Sequence, residues 1–247
     1  MSERTLQQGA ELQGLSTAIL LPGASLFGER PGRGLAEVGP LTHIGGLSLF
    51  QRTVLTLQRG GIRQLIVLAG PDEELLKQAL ARGARVTIPV RWMPVREFPL
   101  DDPRTWESLA TEVRGFCLIA GVQAVFSKQL IEHLRQTVRD GEALVVTRTG
   151  APCETSSGRR NPVVALQDGR LVSFHNPPSQ EHQQVAADLV VLPSSILNPP
   201  ITGSTSTTKS SAEPAGTVPM RRWLEQAAVE GRVRVVASAS QAGLWYR

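Results

Sequence analysis

Ser16-Thr17-Ala18-Ile19-Leu20-Leu21, closed by Pro22-Gly23, is the stretch on which the fold turns. Its apolar core shows no polar alternation, which is the pattern of a parallel strand buried on both faces, and Pro-Gly ends it where such a strand meets a loop. The following stretch, Gly23 to Gly46, is so rich in glycine and proline that it predicts a long loop at the strand's C-terminal end and no regular structure. From Leu47 to Gly60 the apolar residues Leu49, Phe50, Val54 and Leu57 recur near a period of 3.6, and Gly60-Gly61 supplies a stop, so this segment predicts a helix.

The same alternation continues outward. Ile62–Ala69 predicts a second strand, and Pro71-Asp72-Glu73-Glu74 leads into a helix through Leu75, Leu76 and Leu80, with acids in its first turn. Arg85–Val90 predicts a third strand, Pro103–Val113 a helix, Phe116–Ala120 a fourth strand, Ser127–Val138 a helix and Ala143–Thr147 a fifth strand. Strands alternating with helices imply right-handed crossovers, hence a three-layer Rossmann-like α/β fold with a mostly parallel sheet and ligands outside the strands' carboxyl ends. Beyond Gly150 the character changes. Val163–Leu166 and Arg170–Phe174 flank Gln167-Asp168-Gly169 and predict a β-hairpin insertion with an Asp-Gly turn. Asp188–Leu192 predicts a strand, Pro219–Val229 a helix and Val233–Ala237 a last strand. The whole chain, 1–247, reads as a single domain with a polar leader at 1–15 and a flexible Ser/Thr/Gly/Pro loop at 202–217.

Composition removes several function classes. The net charge of +4 is scattered and aromatics are only 4%, so the basic, aromatic-interleaved stripe of a nucleic-acid binder is missing. No run approaches the roughly 18 residues a membrane-spanning helix needs, and Met1-Ser2-Glu3-Arg4 opens onto a polar segment, which predicts a cytoplasmic protein without membrane insertion. Cys117 and Cys153 lack any CxxC or metal-ligand spacing and read as plain thiols. A dinucleotide site is excluded because no G-x-G-x-x-G follows the first strand and no acid ends the second.

Ala18-Ile19-Leu20-Leu21-Pro22-Gly23, the loop carrying Gly28-Glu29-Arg30, Gly39-Pro40-Leu41-Thr42-His43-Ile44-Gly45-Gly46 and Leu49-Phe50-Gln51-Arg52-Thr53 together resemble the N-terminal signature of the nucleotidyltransferase superfamily. Phe116–Gly121 stands where that family has a strand ending in Gly-Asp. Asp168-Gly169-Arg170 and Asp188–Pro193 stand where it has a hairpin and a later core strand. The resemblance spans nearly the whole chain and is nearest to the inositol-phosphate and sugar-phosphate cytidylyltransferases. It implies transfer of a nucleotidyl group from an NTP, CTP favoured, to a phosphorylated alcohol or sugar with release of pyrophosphate. It further implies that Pro22, Gly23, Ala24, Ser25 and Gly28 form the nucleotide-binding loop, whose backbone amides after Pro22 approach the triphosphate, that Arg30 acts on the leaving pyrophosphate with Arg33 standing in for the family's lysine, and that Ser108 lies near the base. Mg2+ would bridge the reacting phosphates if the chain is active.

Four departures bear on that inference. Arg30 stands farther from Gly23 than is usual in the family, the lysine expected before Pro40-Leu41 is Gly39, the aspartate expected after Gly121 is Val122, and the second aspartate expected shortly after Trp245-Tyr246 falls past Arg247. Asp101 and Asp102 are offered as replacement metal ligands, against the simpler reading that one of them caps the helix starting at Pro103. Losing one good electrostatic partner commonly lowers rate on the order of 10²–10³. The alternative expectation is therefore a catalytically inactive nucleotide-sensing or partner-binding domain, fused to or partnered with another domain. His43, Arg52, the Arg159-Arg160-Asn161 cluster, Trp223 and Trp245 read as exposed or packing residues before they read as ligands.

Overall fold

The computed structural model describes residues 14–22, 26, 39–83, 85–122, 124–149, 163–175, 184–197 and 220–238. Eleven strands are described: β1 Leu15–Leu21, β2 His43–Ile44, β3 Leu47–Ser48, β4 Gln64–Ala69, β5 Val90–Pro94, β6 Phe116–Gly121, β7 Ala143–Thr149, β8 Val163–Gln167, β9 Arg170–His175, β10 Gln184–Pro193 and β11 Val233–Ser238. The described helices are α1 Leu49–Arg59, α2 Glu73–Gly83, α3 Pro103–Glu112, α4 Lys128–Thr137, α5 Ser194–Leu197 and α6 Met220–Val229. Nine strands form one sheet in the order β5-β4-β1-β6-β10-β7-β11-β9-β8.

The expected crossover sheet is present. β5, β4, β1 and β6 are mutually parallel, as are β7 and β11, and β10 runs antiparallel between β6 and β7. Side-chain alternation divides the core between the two faces. Ile19, Leu21, Ile66, Leu68, Cys117 and Ile119 pack with α3, α5 and α6, whereas Ala18, Leu20, Leu65, Val67, Leu118 and Ala120 pack with α1, α2 and α4. A register shift between Leu15 and Thr17 lets Leu15 join the second set, out of step with the rest of β1. On the first face Trp106 is fully buried, donates from Nε1 to the Leu100 carbonyl at 2.7 Å and meets Trp223 edge-on at 5.1 Å, so Trp223 is a packing residue.

Two expectations need correction. The strand expected at Arg85–Val90 is Val90–Pro94: Pro89 has no N–H to give to a ladder, and Thr87 and Arg85 bond instead to the Gln58 side chain. The stretch 23–46 is not wholly irregular, since His43–Ile44 pairs with Leu47–Ser48 around Gly45-Gly46, whose positive φ angles of 57° and 83° suit a tight hairpin turn. The Asp168-Gly169 hairpin forms as expected, with φ angles of 52° and 75°. Leu15, the last residue of the expected leader, already belongs to β1; residues 1–13 and the 202–217 tract lie outside the described residues, as do Cys153, Arg159, Arg160 and Trp245.

Candidate functional site at the tips of β1 and β6

From β1 the chain moves outward through β4 to β5, then crosses back through α3 to β6 on β1's other side. The strand order thus reverses between β1 and β6, and that is where an open α/β sheet leaves a crevice at its carboxyl edge. Leu21 and Gly121 are register partners there, and the amide of Val122 donates to the Leu21 carbonyl at 2.9 Å. Pro22 is half-buried at the bend that ends β1. Gly70 ends β4 close by, and a side chain there would contact Pro22, its Cβ 3.9 Å from that of the proline.

The wall on the α1 side is built by local bonds. Ser48 caps α1, its Oγ accepting from the Gln51 amide while the Gln51 side chain accepts from the Ser48 amide. Gln51 then donates to the Ala79 carbonyl at 2.7 Å, joining α1 to α2. Thr53 Oγ1 lies 2.6 Å from the Ala124 carbonyl and fixes the segment after β6 against α1. Ser48, Gln51 and Thr53 were not singled out from sequence as structural anchors, although S-x-x-Q before an apolar run is a helix-start signal. Arg52 Nε donates to the Ile44 carbonyl at 2.9 Å, so this guanidinium holds the β2–β3 hairpin on which His43 stands exposed.

Of the residues singled out for phosphate and nucleotide, Gly23, Ala24, Ser25, Gly28, Arg30 and Arg33 lie outside the described residues. Leu26, within the same loop, is 2% exposed and packed with Leu21, Ile66 and Leu68, so the chain four residues past Pro22 is anchored at the sheet. Ser108 is half-buried in the middle of α3, five residues into a helix rising about 1.5 Å per residue, and is not brought to Pro22 and Val122 by any described contact. Asp101 is exposed. Asp102 is the N-cap of α3, its Oδ1 accepting from the Arg104 amide at 2.9 Å, which is the simpler of the two roles weighed for this pair.

Val122 occupies the position where a carboxylate was expected, and it is 1% exposed among Ala120, Phe126 and Leu130. A carboxylate there would lose its water without gaining a counter-charge from those neighbours. Among the described residues no group of three His, Cys, Asp or Glu side chains converges on a point. The described residues at the expected position therefore do not fit Mg2+. Cys117, fully buried on β6, has its thiol pushed well above the ordinary range by desolvation. A groove of about 550 Å³ lined by Leu15, Ser16, Arg63 and Arg135 lies at the opposite edge, where β1 begins. No described helix is long and apolar enough to cross a membrane.

The same architecture recurs in solved structures of low sequence identity. HddC from Yersinia pseudotuberculosis superposes with a TM-score of 0.62 at 11% identity, covering 90% of each chain. The inositol-1-phosphate CTP transferase from T. maritima superposes at 0.60 with 13% identity, over 91% of this chain and 86% of that one. The chain thus has the mostly parallel, Rossmann-like α/β architecture of these proteins. In sequence it is similar to the bifunctional IPC transferase and DIPP synthase of Rubrobacter xylanophilus, 30% identical over 167 residues. The match takes in 66% of this chain but only 35% of that relative, so the chain aligns with about a third of its length. No protein-family model matches the chain.

Proposed function

We propose that this domain binds a nucleoside triphosphate, with CTP favoured, at the tips of β1 and β6 and transfers its nucleotidyl group to a phosphorylated alcohol or sugar. The observation that carries the reading is the reversal of strand order between Leu21 and Gly121, with the glycine-rich segment leaving β1 at that point. The chemistry of the acceptor comes from the Rubrobacter relative and from the T. maritima CTP transferase. HddC has been solved with GMP-PN, so the shared fold alone does not select the base.

In the proposed reaction an acceptor phosphate oxygen attacks the α-phosphorus of the NTP, the bond from that phosphorus to the β-bridging oxygen breaks, and pyrophosphate leaves. Backbone amides of Gly23, Ala24, Ser25 and Gly28 receive the phosphates, and Arg30 and Arg33 neutralise the departing pyrophosphate. Pro22 fixes the direction in which the loop leaves β1. Asp101 and Asp102 are the carboxylates this reading offers to a metal, Asp102 also capping α3. A divalent cation is the family's usual partner. The buried Val122 favours a second reading in which the domain binds nucleotide without turnover.

The deciding experiment incubates the chain with CTP, inositol 1-phosphate and Mg2+ and follows pyrophosphate release. Release dependent on the acceptor supports transfer. CTP binding without any release supports the second reading, and no nucleotide binding at all contradicts both.

A further inference from the structure

A groove of about 550 Å³ opens at the amino end of β1, between that strand's first residues, the turn from α1 to β4 and the last turns of α4. The length of β1 from Leu15 to Leu21, about 20 Å at roughly 3.3 Å per residue, separates it from the crevice. Local irregularities of the chain build it. Leu15 pairs with Phe116 and Thr17 with Cys117, so Ser16 is an extra residue without a register partner on β6, and the bulge sets it at the groove wall. The Arg63 amide donates to the Ser16 carbonyl at 2.8 Å, which brings the start of β4 to the same rim. Gly60 lies so close to α4 that a Cβ there would stand 2.6 Å from Ile131 Cγ2. Gly61 has a φ of 91°, and a Cβ on it would collide with the Arg135 guanidinium, so the glycine leaves the space in which that group lies. Arg135 is held there by Nη1 donating to the Gly60 carbonyl at 3.3 Å. A guanidinium carries five N–H donors. Among the described residues no carboxylate pairs with this one, because Glu132 on the same helix pairs with Lys128 at 3.1 Å instead.

The lining sets the chemistry of what fits. Arg63 and Arg135 against Glu132 leave one net positive charge, which matches a ligand with a single carboxylate, whereas a triphosphate would bring several charges against Glu132. The volume lies within the range of about 300–1,000 Å³ typical of small organic ligands, and Ser16 and Gln136 add hydrogen-bonding groups suited to hydroxyls. We propose that this groove is a second binding site, for a hydroxylated monocarboxylic acid, with the carboxylate held by Arg135 beside Arg63 and the hydroxyls by Ser16 and Gln136. The site lies at the other edge of the sheet and does not depend on the nucleotidyltransferase reading.

The probe is D-gluconate, titrated into the isotopically labelled chain at constant ionic strength and followed by amide NMR, with D-glucose and acetate as controls. Gluconate should shift the amides of Leu15, Ser16, Arg63 and Arg135, acetate should shift them less at equal concentration, and glucose should leave them in place. Arg135→Gln keeps a hydrogen-bonding side chain and removes the charge. With an unchanged circular dichroism spectrum, it is expected to bind gluconate on the order of tenfold or more weakly. No gluconate shifts at these amides, equal shifts with glucose or acetate, or gluconate affinity that survives in Arg135→Gln overturns the proposal. Displacement of gluconate from these amides by CTP overturns it too, since Glu132 should exclude a multiply charged anion. The comparison of gluconate with glucose needs no variant and decides the matter if Arg135→Gln does not fold.

Discussion

The amide of Val122 donates to the carbonyl of Leu21 at 2.9 Å, across the point where the sheet's strand order reverses. That bond joins the two strand ends between which a nucleotide is proposed to sit, and the Val122 side chain meanwhile faces the apolar cluster behind the sheet. Backbone and side chain at one position thus serve different ends: the first shapes the crevice and the second packs the core.

Val122→Asp should therefore not behave as a restored metal site. Its carboxylate would enter the cluster of Ala120, Phe126 and Leu130, and an uncompensated buried charge costs about 3–5 kcal/mol. Urea denaturation should show that loss, with no gain in Mn2+-dependent CTP affinity. A stable variant with tighter metal-dependent binding would show that the side chain turns to the crevice.

Thr53→Val keeps the shape of a buried side chain and removes the hydroxyl that bonds the Ala124 carbonyl at 2.6 Å. Leaving that carbonyl unsatisfied should cost about 1–3 kcal/mol. Hydrogen exchange should quicken locally at 124–126 before it does so in β4, and equal acceleration everywhere would show that Thr53 supports the whole core and not this segment.

Ser48→Ala removes one half of the capping box at the start of α1. A loss of about 0.5–2 kcal/mol in thermal or urea unfolding is expected. A Ser48→Asp variant, which keeps an acceptor at the cap, should recover most of it.

Arg30→Ala tests the phosphate grip. A charge-assisted hydrogen bond contributes about 1.5–3 kcal/mol, so CTP affinity should fall on the order of tenfold or more while the melting temperature without ligand stays put. An unchanged affinity would remove Arg30 from the site.

Cys117 gives a pH signature. Burial raises its pKa in the folded state, so the thiol stays protonated there while the unfolded chain ionises above about 8.5. The stability this contributes is complete below that pH and declines as pH rises. Comparing melts at pH 7 and pH 9.5, the native chain should lose more stability than Cys117→Ala does, and equal losses would contradict the assigned burial effect.

The sequence carried the fold further than the site. Ser16–Leu21, Ile62–Ala69 and Phe116–Ala120 are unbroken apolar runs, and such runs announce strands covered on both faces. Val90–Pro94 was misplaced because its mixed residues, including exposed Arg91 and half-buried Trp92, lack that signal at the sheet's edge. The hairpin at 43–48 was hidden in a stretch where glycine was read as disorder of pattern and not as a turn requirement. At the site, substitution by Val122 was visible as a missing carboxylate, but which way the valine points depends on packing with Phe126 and Leu130, residues four and eight further along. The pairing of Leu189 with Ala120 beside the β6 tip joins strands nearly seventy residues apart, which no local pattern encodes.

The most direct test of a nucleotide seat between β1 and β6 is the amide NMR spectrum of the isotopically labelled chain titrated with CTP. Shifts should concentrate at Leu21, Gly70, Gly121 and Val122 and be small at Ser16, Arg63 and Arg135. Shifts confined to that opposite edge, or no shifts at saturating CTP, would contradict the assignment.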